Sequence, residues 1–243
     1  MKHYTTTDTG KIREKNEDNF INLIEDNFSL FIVADGIGGH NSGEIASHMA
    51  VKIVRDYIKD NFNKDEIFDL IIDATRKANE EILNRSKNNP DDAGMGTTIV
   101  IALIVDNILY YANVGDSRIY LFSNNVLKQI TKDHSYVQEL LDIGAISEED
   151  AKFYPRNQIT SALGTSVKYK IDLNKLELKN NDYVLLNTDG LTDLIEDHEI
   201  FNVVKNEYGL QETCEILQYM ANATGGYDNI TITLVKFEEQ NEW

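Results

Sequence analysis

Acidic side chains stand at the ends of several apolar runs that are typical of β-strands, most of them beside a glycine or an asparagine. They are Asp35, Asp116, Asp189 and Asp228, joined by the pair Glu17 and Asp18 ahead of the first predicted strand. Aspartate and glycine also make ordinary turns, so each position taken alone has a simple structural explanation. Because loops beyond strand ends often carry functional residues, the repetition of this pattern favours one shared site.

Carboxylates that meet in space repel one another and raise each other's pKa unless a cation lies among them. Carboxylate and carbonyl oxygens are hard ligands, which favour Mg²⁺ or Mn²⁺ over softer metals. The five histidines of the chain show no H-E-x-x-H spacing, so zinc chemistry is disfavoured. If the aspartates converge, the sequence therefore predicts a magnesium or manganese site.

Arg13 lies five residues before Asp18. A guanidinium beside a metal centre can bind two phosphate oxygens with its fork of N–H donors. The alternative is a solvated surface charge, which is the usual state of an isolated arginine.

Other phosphate-binding motifs fit the sequence less well. The glycine-rich residues 36–43 follow a predicted strand and open a helix, but Glu44 and Ile45 occupy the places where a P-loop needs lysine and serine or threonine. Asn41 occupies the third glycine of a dinucleotide-binding fingerprint. Cys214 lies in an apolar helical pattern without a nearby arginine, which is unlike a cysteine phosphatase. Metal-assisted phosphate chemistry is the interpretation that remains.

The elements that must position these residues alternate between strands and amphipathic helices. Strands are predicted at residues 19–24, 28–34, 97–105, 108–114, 117–123, 126–130, 170–178, 183–187 and 229–236. Helices are predicted from residue 42, at about 64–88, after His134, and near 197–205 and 210–223. Short polar turns between neighbouring strands indicate antiparallel hairpins. We therefore expect an α+β fold with four layers, α/β/β/α, in which two antiparallel sheets are flanked by helix pairs.

The chain shows no linker, so a single domain over residues 1–243 is expected, with an irregular surface flap at about 144–164. Its formal net charge of −18 makes nucleic acid and anionic lipid poor partners. The longest aliphatic stretch, residues 99–105, is too short to span a bilayer, and residues 1–6 lack the apolar core of a signal peptide. With Cys214 as its one cysteine, the chain is expected in the reducing cytoplasm.

An ordered set of motifs across essentially the whole chain resembles one known family. The motifs are residues 7–10 (TDTG) with Arg13, 16–18 (NED), 33–40 (VADGIGGH), 43–47 (GEIAS), 94–98 (GMGTT), 113–118 (NVGDSR), 131–135 (TKDHS), 159–164 (ITSALG), 187–191 (NTDGL) and 227–231 (YDNIT). The set is similar to the metal-dependent serine/threonine phosphatases of the type-2C family in their compact bacterial form.

The resemblance implies a centre of two Mn²⁺ or Mg²⁺ ions at one end of the sheets, with direct hydrolysis by a water that bridges them. It assigns Asp35 as the bridging carboxylate and gives it a catalytic role together with Arg13, which would hold the substrate phosphate. The other implied ligands of the two ions are the Gly36 carbonyl, Asp189 and Asp228. Glu17 and Asp18 would act through bound waters. Asp116 and Asp189 would hold a third, weaker ion. The flap would border the path of the substrate.

The resemblance also implies partners. It points to serine- or threonine-phosphorylated proteins and to a cognate serine/threonine kinase whose action the chain would reverse, with the chain itself acting as a monomer. Three alternatives stay open: a phosphatase specialised for one regulatory protein, a silent phosphoprotein-binding module, and a nucleotide-binding protein that uses residues 36–43.

Two positions depart from the family pattern. Ile37 stands where many eukaryotic members have a histidine and bacterial members commonly have a methionine, and its side chain has no proton to donate. Ser161 stands where bacterial relatives often have an arginine. The first departure leaves the general acid unidentified, and the second concerns contacts on the flap side.

Overall fold

The computed structural model describes residues 1–38, 42–155, 158–206 and 208–238. Three residues of the glycine-rich loop, 39–41, and residues 156 and 157 of the predicted flap therefore lie outside the described residues.

Strands and helices alternate along the described chain, with long helices in the first third. The strands are β1 (Lys2–Asp8), β2 (Asn19–Ile24), β3 (Ser29–Ala34), β4 (Gly36–Ile37), β5 (Gly96–Thr97), β6 (Ile99–Val105), β7 (Ile108–Val114), β8 (Arg118–Ser123), β9 (Val126–Gln129), β10 (Asp172–Glu177), β11 (Tyr183–Asn187) and β12 (Ile230–Lys236). The helices are α1 (Ser42–Asn61), α2 (Ile67–Asn88), α3 (Tyr136–Asp142), α4 (Glu148–Ala151), α5 (Asp189–Thr192), α6 (Asp197–Lys205) and α7 (Leu210–Thr224), and a short 3₁₀ turn spans Pro90–Asp92.

Two antiparallel sheets form the centre of the fold. The first has the strand order β1-β12-β11-β8-β9 and the second the order β10-β7-β6-β3-β2. Their inner faces pack together through a layer of aliphatic and aromatic side chains that includes Phe31, Val33, Val100, Leu186 and Val235. Helices α1 and α2 cover the outer face of the second sheet, and α6 and α7 cover that of the first. The predicted four-layer α/β/β/α architecture is confirmed.

Helix α1 forms because its apolar residues recur every three or four positions on one side. Ala46, Ala50, Val54 and Ile58 are fully buried against the second sheet and α2. These small and branched side chains let the helix lie close to the sheet, and Gly43 in its first turn lies against Gly36, just after β3.

Strand β1 was not predicted, because its sequence KHYTTTD contains no alternation of apolar residues. It lies at the edge of the first sheet, where threonine hydroxyls pair across the strands: Thr5 with Thr233 and Thr7 with Thr231, each at 2.8 Å. Helix α7 packs on this strand. The strand is therefore held by its neighbours rather than by an apolar pattern of its own.

The segment predicted as a flap contains a helical turn, α4, which Ser147 caps through a reciprocal pair of hydrogen bonds with Asp150. The last residues of the segment turn inward. Leu163 is fully buried in the helix-facing core, and its backbone pairs with Thr97. The exposed part of the segment therefore ends before Ser161, which is itself mostly buried.

Candidate metal centre

The acidic residues singled out in the sequence come from loops at one end of the sandwich. Asp35 follows β3, Asp116 follows β7, Asp189 follows β11 as the first residue of α5, Asp228 precedes β12, and Glu17 and Asp18 precede β2. Antiparallel pairing places these loops together, because the end of each strand lies beside the start of its neighbour. Asn19 pairs with Ala34 in the second sheet, and Asn187 pairs with Ile232 in the first.

Two contacts join the loops of one sheet to those of the other. The hydroxyl of Thr188, after β11, donates to Oδ2 of Asp18, before β2, at 2.9 Å. The side-chain Oδ1 of Asn229, just before β12, accepts the backbone N–H of Glu17, just before β2, at 2.8 Å. The structure therefore brings the carboxylates of both sheets to one place.

Burial and mutual repulsion disfavour the charged form of each carboxyl group in this cluster. Burial raises the pKa of Asp18 to about 7. The negative charge of Asp189 also raises this pKa, whereas hydrogen bonds from Thr231 and Thr188 lower it. Burial, followed by the charges of Asp193 and Asp228, raises the pKa of Asp189 to about 7.

The same causes act on the two other carboxyl groups of the cluster. The pKa of Asp35 lies well above its usual value because of burial and then the charges of Asp189 and Asp18. Burial and the charges of Asp189 and Asp133 likewise raise the pKa of Asp116. A concentration of negative charge of this kind is stable only with protons or cations among the carboxylates.

Two oxygens of the cluster are buried without any hydrogen-bond partner in the described part of the chain: Oδ1 of Asp18 and Oδ1 of Asp189. A buried acceptor of this kind is costly unless something satisfies it. The donors are all hard oxygens, which fit Mn²⁺ or Mg²⁺. Among residues 1–38, 42–155, 158–206 and 208–238, no three His, Cys, Asp or Glu side chains enclose an ion as they are placed. The carboxylates therefore lie together at this end of the sandwich without closing around an ion.

Arg13 lies at the mouth of this cluster, in the loop between β1 and β2. Its Nη2 donates to Oδ2 of Asp228 at 2.8 Å, and about half of its side chain (53%) is exposed. The guanidinium is therefore part of the site and reachable from solvent, which favours the predicted phosphate contact over an isolated surface charge.

Close packing of β4, the start of α1 and the loop before β2 places Gly36 and Glu17 beside the cluster. A Cβ on Gly36 would lie 2.2 Å from the Gly43 carbonyl oxygen and 2.6 Å from the Glu17 carbonyl oxygen, so only glycine fits. Burial, and to a lesser degree the nearby Glu44 and Asp228 carboxylates, raise the pKa of Glu17, while Arg13 opposes them. Glu17 thus lies on the Arg13 side of the cluster.

A cleft of about 320 Å³ opens beside the cluster, between the α3–α4 segment and the starts of α5 and α6. Asp116 and Asp189 line it together with Arg118 and Asp133. Arg118 donates from Nε to Oδ1 and from Nη2 to Oδ2 of Asp133, and this bidentate ion pair fixes the start of β8. Asp116 therefore lies on the cleft side of the cluster.

Sequence reasoning missed the role of Thr98. Its hydroxyl accepts the backbone N–H of Asp35 at 3.0 Å and contacts the Ser117 hydroxyl at 2.7 Å, so it links the loops of Asp35 and Asp116. The pair of threonines at 97–98 was visible in the sequence, but nothing in its spacing indicates which backbone groups it serves.

Ser161 and Ile37, the two residues that depart from the family pattern, both have defined backbone partners. Ser161 donates to the Lys170 carbonyl at 3.1 Å and accepts the Lys170 N–H at 2.8 Å. The Ser161 hydroxyl therefore binds the backbone of the segment that leads into β10. Ile37 lies on the two-residue strand β4, paired with Gly96 of β5.

Comparison with known proteins agrees with this geometry. The family model described as protein phosphatase 2C matches residues 11–236. The chain is 42% identical to the serine/threonine phosphatase Stp of Listeria monocytogenes over 237 residues, which cover 95% of this chain and 93% of that protein.

Solved structures give the same result. The serine/threonine phosphatase of S. agalactiae superposes with a TM-score of 0.90 at 35% identity, over 96% of this chain and 98% of that one. The catalytic domain of the phosphatase PstP, solved in complex with two manganese ions, superposes with a TM-score of 0.84 at 32% identity, over 96% of both chains. The chain therefore belongs to the protein phosphatase 2C family of serine/threonine phosphatases.

Proposed function

We propose that the chain hydrolyses phosphoserine and phosphothreonine in proteins with the help of Mn²⁺ or Mg²⁺, in a centre of two core ions and a weaker third. The observation that carries the proposal is the convergence of buried carboxylates, two of them with unsatisfied oxygens, beside a half-exposed arginine. The names of the similar Listeria and streptococcal phosphatases, and the two manganese ions of the PstP complex, support it.

In this proposal Asp35, the Gly36 carbonyl, Asp189 and Asp228 hold the core ions. Glu17 and Asp18 act through bound waters, and Asp116 with Asp189 holds the third ion. When bound, such cations supply positive charge to the phosphate oxygens and make a water molecule acidic enough to attack phosphorus directly.

Arg13 binds the phosphate group of the substrate. Its contact with Asp228 holds the guanidinium at the mouth of the centre, and its exposed N–H groups are directed to solvent, where a phosphorylated side chain arrives. A guanidinium fork matches two oxygens of a phosphate dianion, whose charge it partly neutralises during the reaction. Ile37 has no proton to give, so the leaving alkoxide of the serine or threonine takes its proton from water or from another group.

The proposed partners are phosphorylated proteins and the serine/threonine kinase that modifies them, and we place the chain in the cytoplasm as a monomer. Cys214 is buried and unpaired, in line with a reducing compartment. In the described part of the chain, no helix has the length and apolar character needed to cross a membrane.

The direct test is turnover of a phosphothreonine peptide and of p-nitrophenyl phosphate by the purified chain, with chelator and after addition of Mn²⁺. Chelation should abolish turnover and Mn²⁺ should restore it. Asp35→Asn should lose most of kcat, because one carboxylate charge disappears from the centre, whereas Asp60→Asn on the exposed side of α1 should not change it. Near-normal turnover by Asp35→Asn would contradict the assignment, and no turnover by the parent chain would favour a silent binding module.

A further inference from the structure

The loop that carries Arg13 is irregular, and it is held in place by the side chain of Asn229, the residue after Asp228. Asn229 is 5% exposed. Its Nδ2 donates to the carbonyl oxygens of Thr9, at 2.9 Å, and Lys15, at 2.8 Å, and its Oδ1 accepts the backbone N–H of Glu17 at 2.8 Å. Both amide hydrogens and the amide oxygen are thus engaged by one loop.

The three residues bonded to the Asn229 amide lie on both sides of Arg13 in the sequence. Thr9 precedes it, while Lys15 and Glu17 follow it, so the amide ties the two sides of the Arg13 turn to the start of β12. A fourth bond runs in parallel, from the Lys11 N–H to the Gly226 carbonyl at 2.8 Å. The turn is thereby fixed against the segment that leads to Asp228.

The same residue also fixes Asp228. The backbone N–H of Asn229 donates to Asp228 Oδ1 at 2.8 Å, and the other oxygen of that carboxylate accepts from Arg13 Nη2 at 2.8 Å. Asn229 therefore determines the relative position of a guanidinium and a carboxylate that belong to opposite ends of the chain.

We propose that Asn229 is a positioning residue for phosphate binding, which acts through Arg13 and the Glu17 backbone without touching the substrate. The inference rests on the proposed function for the role of Arg13. Asparagine is required because it combines two donors with one acceptor on a short stem. Aspartate keeps the acceptor for Glu17 but turns an oxygen toward the Thr9 and Lys15 carbonyls, and alanine loses all three bonds.

A kinetic double-mutant cycle tests whether Asn229 acts through Arg13. Asn229→Ala should raise KM for a phosphothreonine peptide about tenfold, as should Arg13→Ala, because the first displaces and the second removes the guanidinium that binds the charged phosphate. The double variant should be little worse than Arg13→Ala alone, because the second change disturbs a loop that no longer carries the arginine. The proposal would be overturned if KM of the double variant rose by the product of the two single effects, or if Asn229→Ala left KM unchanged.

Asn79 supplies the matched control. It is 2% exposed, its Oδ1 accepts the Gly164 N–H at 2.8 Å, and its Nδ2 donates to the Ser166 carbonyl at 3.0 Å. Asn79→Ala removes from α2 a buried amide of the same kind, which holds a different loop at Gly164 and Ser166. It should lower the melting temperature much as Asn229→Ala does and leave KM within about twofold. An equal rise of KM in both variants would mean that Asn229 acts only through stability.

Amide hydrogen exchange, followed by NMR on the chain without added metal, tests the positioning independently of turnover. Asn229→Ala should lose protection at the amides of Glu17 and Lys11, whereas Asn229→Asp should lose it at Lys11 and keep it at Glu17, whose N–H still has an acceptor. Core amides of β3 and β6 should be unchanged. Unaltered protection at Lys11 in both variants would refute the positioning role, whereas a parent chain with intact protection and no phosphatase activity would refute only the proposed function.

Discussion

The Asp189 carboxyl group shows how the centre opposes folding when no cation is added. Its pKa of about 7, like that of Asp18, is far above the value near 4 that an aspartate has in an unfolded chain. Between about pH 4 and pH 7 the folded chain holds protons that the unfolded chain has released. Its free energy of unfolding therefore falls as the pH rises through this window and stays low above it.

We expect Asp189→Asn to melt several degrees above the parent chain at about pH 8 in chelator, because the amide cannot ionise. The difference should shrink toward about pH 5, where the parent carboxyl is protonated in the folded chain. Thermal melts across this range measure the effect, with Asp60→Asn as the control for a loss of surface charge. A difference that does not depend on pH would show that Asp189 is not destabilised by ionisation.

Arg13 offers a second test at the level of one side chain. Arg13→Lys keeps the positive charge but loses the planar fork, so KM for a phosphopeptide should fall between the values for the parent and Arg13→Ala. kcat should change less than KM if the main role of Arg13 is to hold the phosphate group. Steady-state kinetics with Mn²⁺ give both constants, and equal KM values for all three proteins would refute the phosphate contact.

At the scale of elements, the junction between β11 and α5 is packed against the start of β12. A Cβ on Gly190 would lie 2.0 Å from the Asn229 carbonyl oxygen, a backbone atom that cannot move aside cheaply. We expect Gly190→Ala to separate Asp189 from Asp228 and to lower the free energy of unfolding by about 1–3 kcal/mol or more, together with a large loss of kcat. Denaturant melts and turnover with Mn²⁺ measure the two effects.

Gly209→Ala is the matched glycine substitution. Gly209 has a φ of −58°, and within the described part of the chain no atom beyond its two sequence neighbours lies within 4 Å of the position of an added Cβ. This variant should keep both its stability and its turnover. If Gly190→Ala behaved in the same way, the tight contact between the two loops would be wrong.

The sequence predicts strands and helices well where one face of the element is apolar. It predicts them poorly where the element depends on polar contacts with neighbouring strands. The predicted bounds of the strand at 19–24 and of the helix at 197–205 match β2 and α6. The polar turn at residues 25–27 ends the strand, and the apolar residues of the helix recur every three or four positions. Strand β1 escapes prediction because hydroxyl pairs with β12 replace apolar contacts. Helix α5 is a four-residue turn, too short to show any periodicity.

The site was predictable in its residue types but not in its internal contacts. Aspartates at strand ends and the ordered motifs identify Asp35, Asp189 and Asp228, and the strand order then brings their loops together. The bonds of Asn229 to Thr9, Lys15 and Glu17 span more than 200 positions. No local pattern encodes contacts between such distant residues.

At the scale of the whole molecule, the net charge of −18 creates a field that favours substrates with basic flanks. We expect a phosphopeptide flanked by arginines to show a kcat/KM about tenfold or more above that of one flanked by glutamates at low salt. The ratio should fall as NaCl is raised, because the screening length shrinks from about 10 Å at 0.1 M to about 3 Å at 1 M.

Steady-state kinetics over a salt series measure this ratio, with a glutamine-flanked peptide as the neutral control. A ratio that does not respond to salt would mean that local contacts, rather than the field of the whole protein, select the flanking residues.

The pairing of β1 with β12, with Lys2 opposite Lys236, has a consequence for biosynthesis. A growing polypeptide that has left the ribosome only as far as α7 already contains Arg13 but lacks both Asp228 and the amide of Asn229. Formation of the candidate site therefore has to wait until β12 has been synthesised, since β1 and β12 are far apart in sequence and must pair first. Prematurely terminated products that end before β12 should accordingly be unable to remove phosphate from the proteins around them.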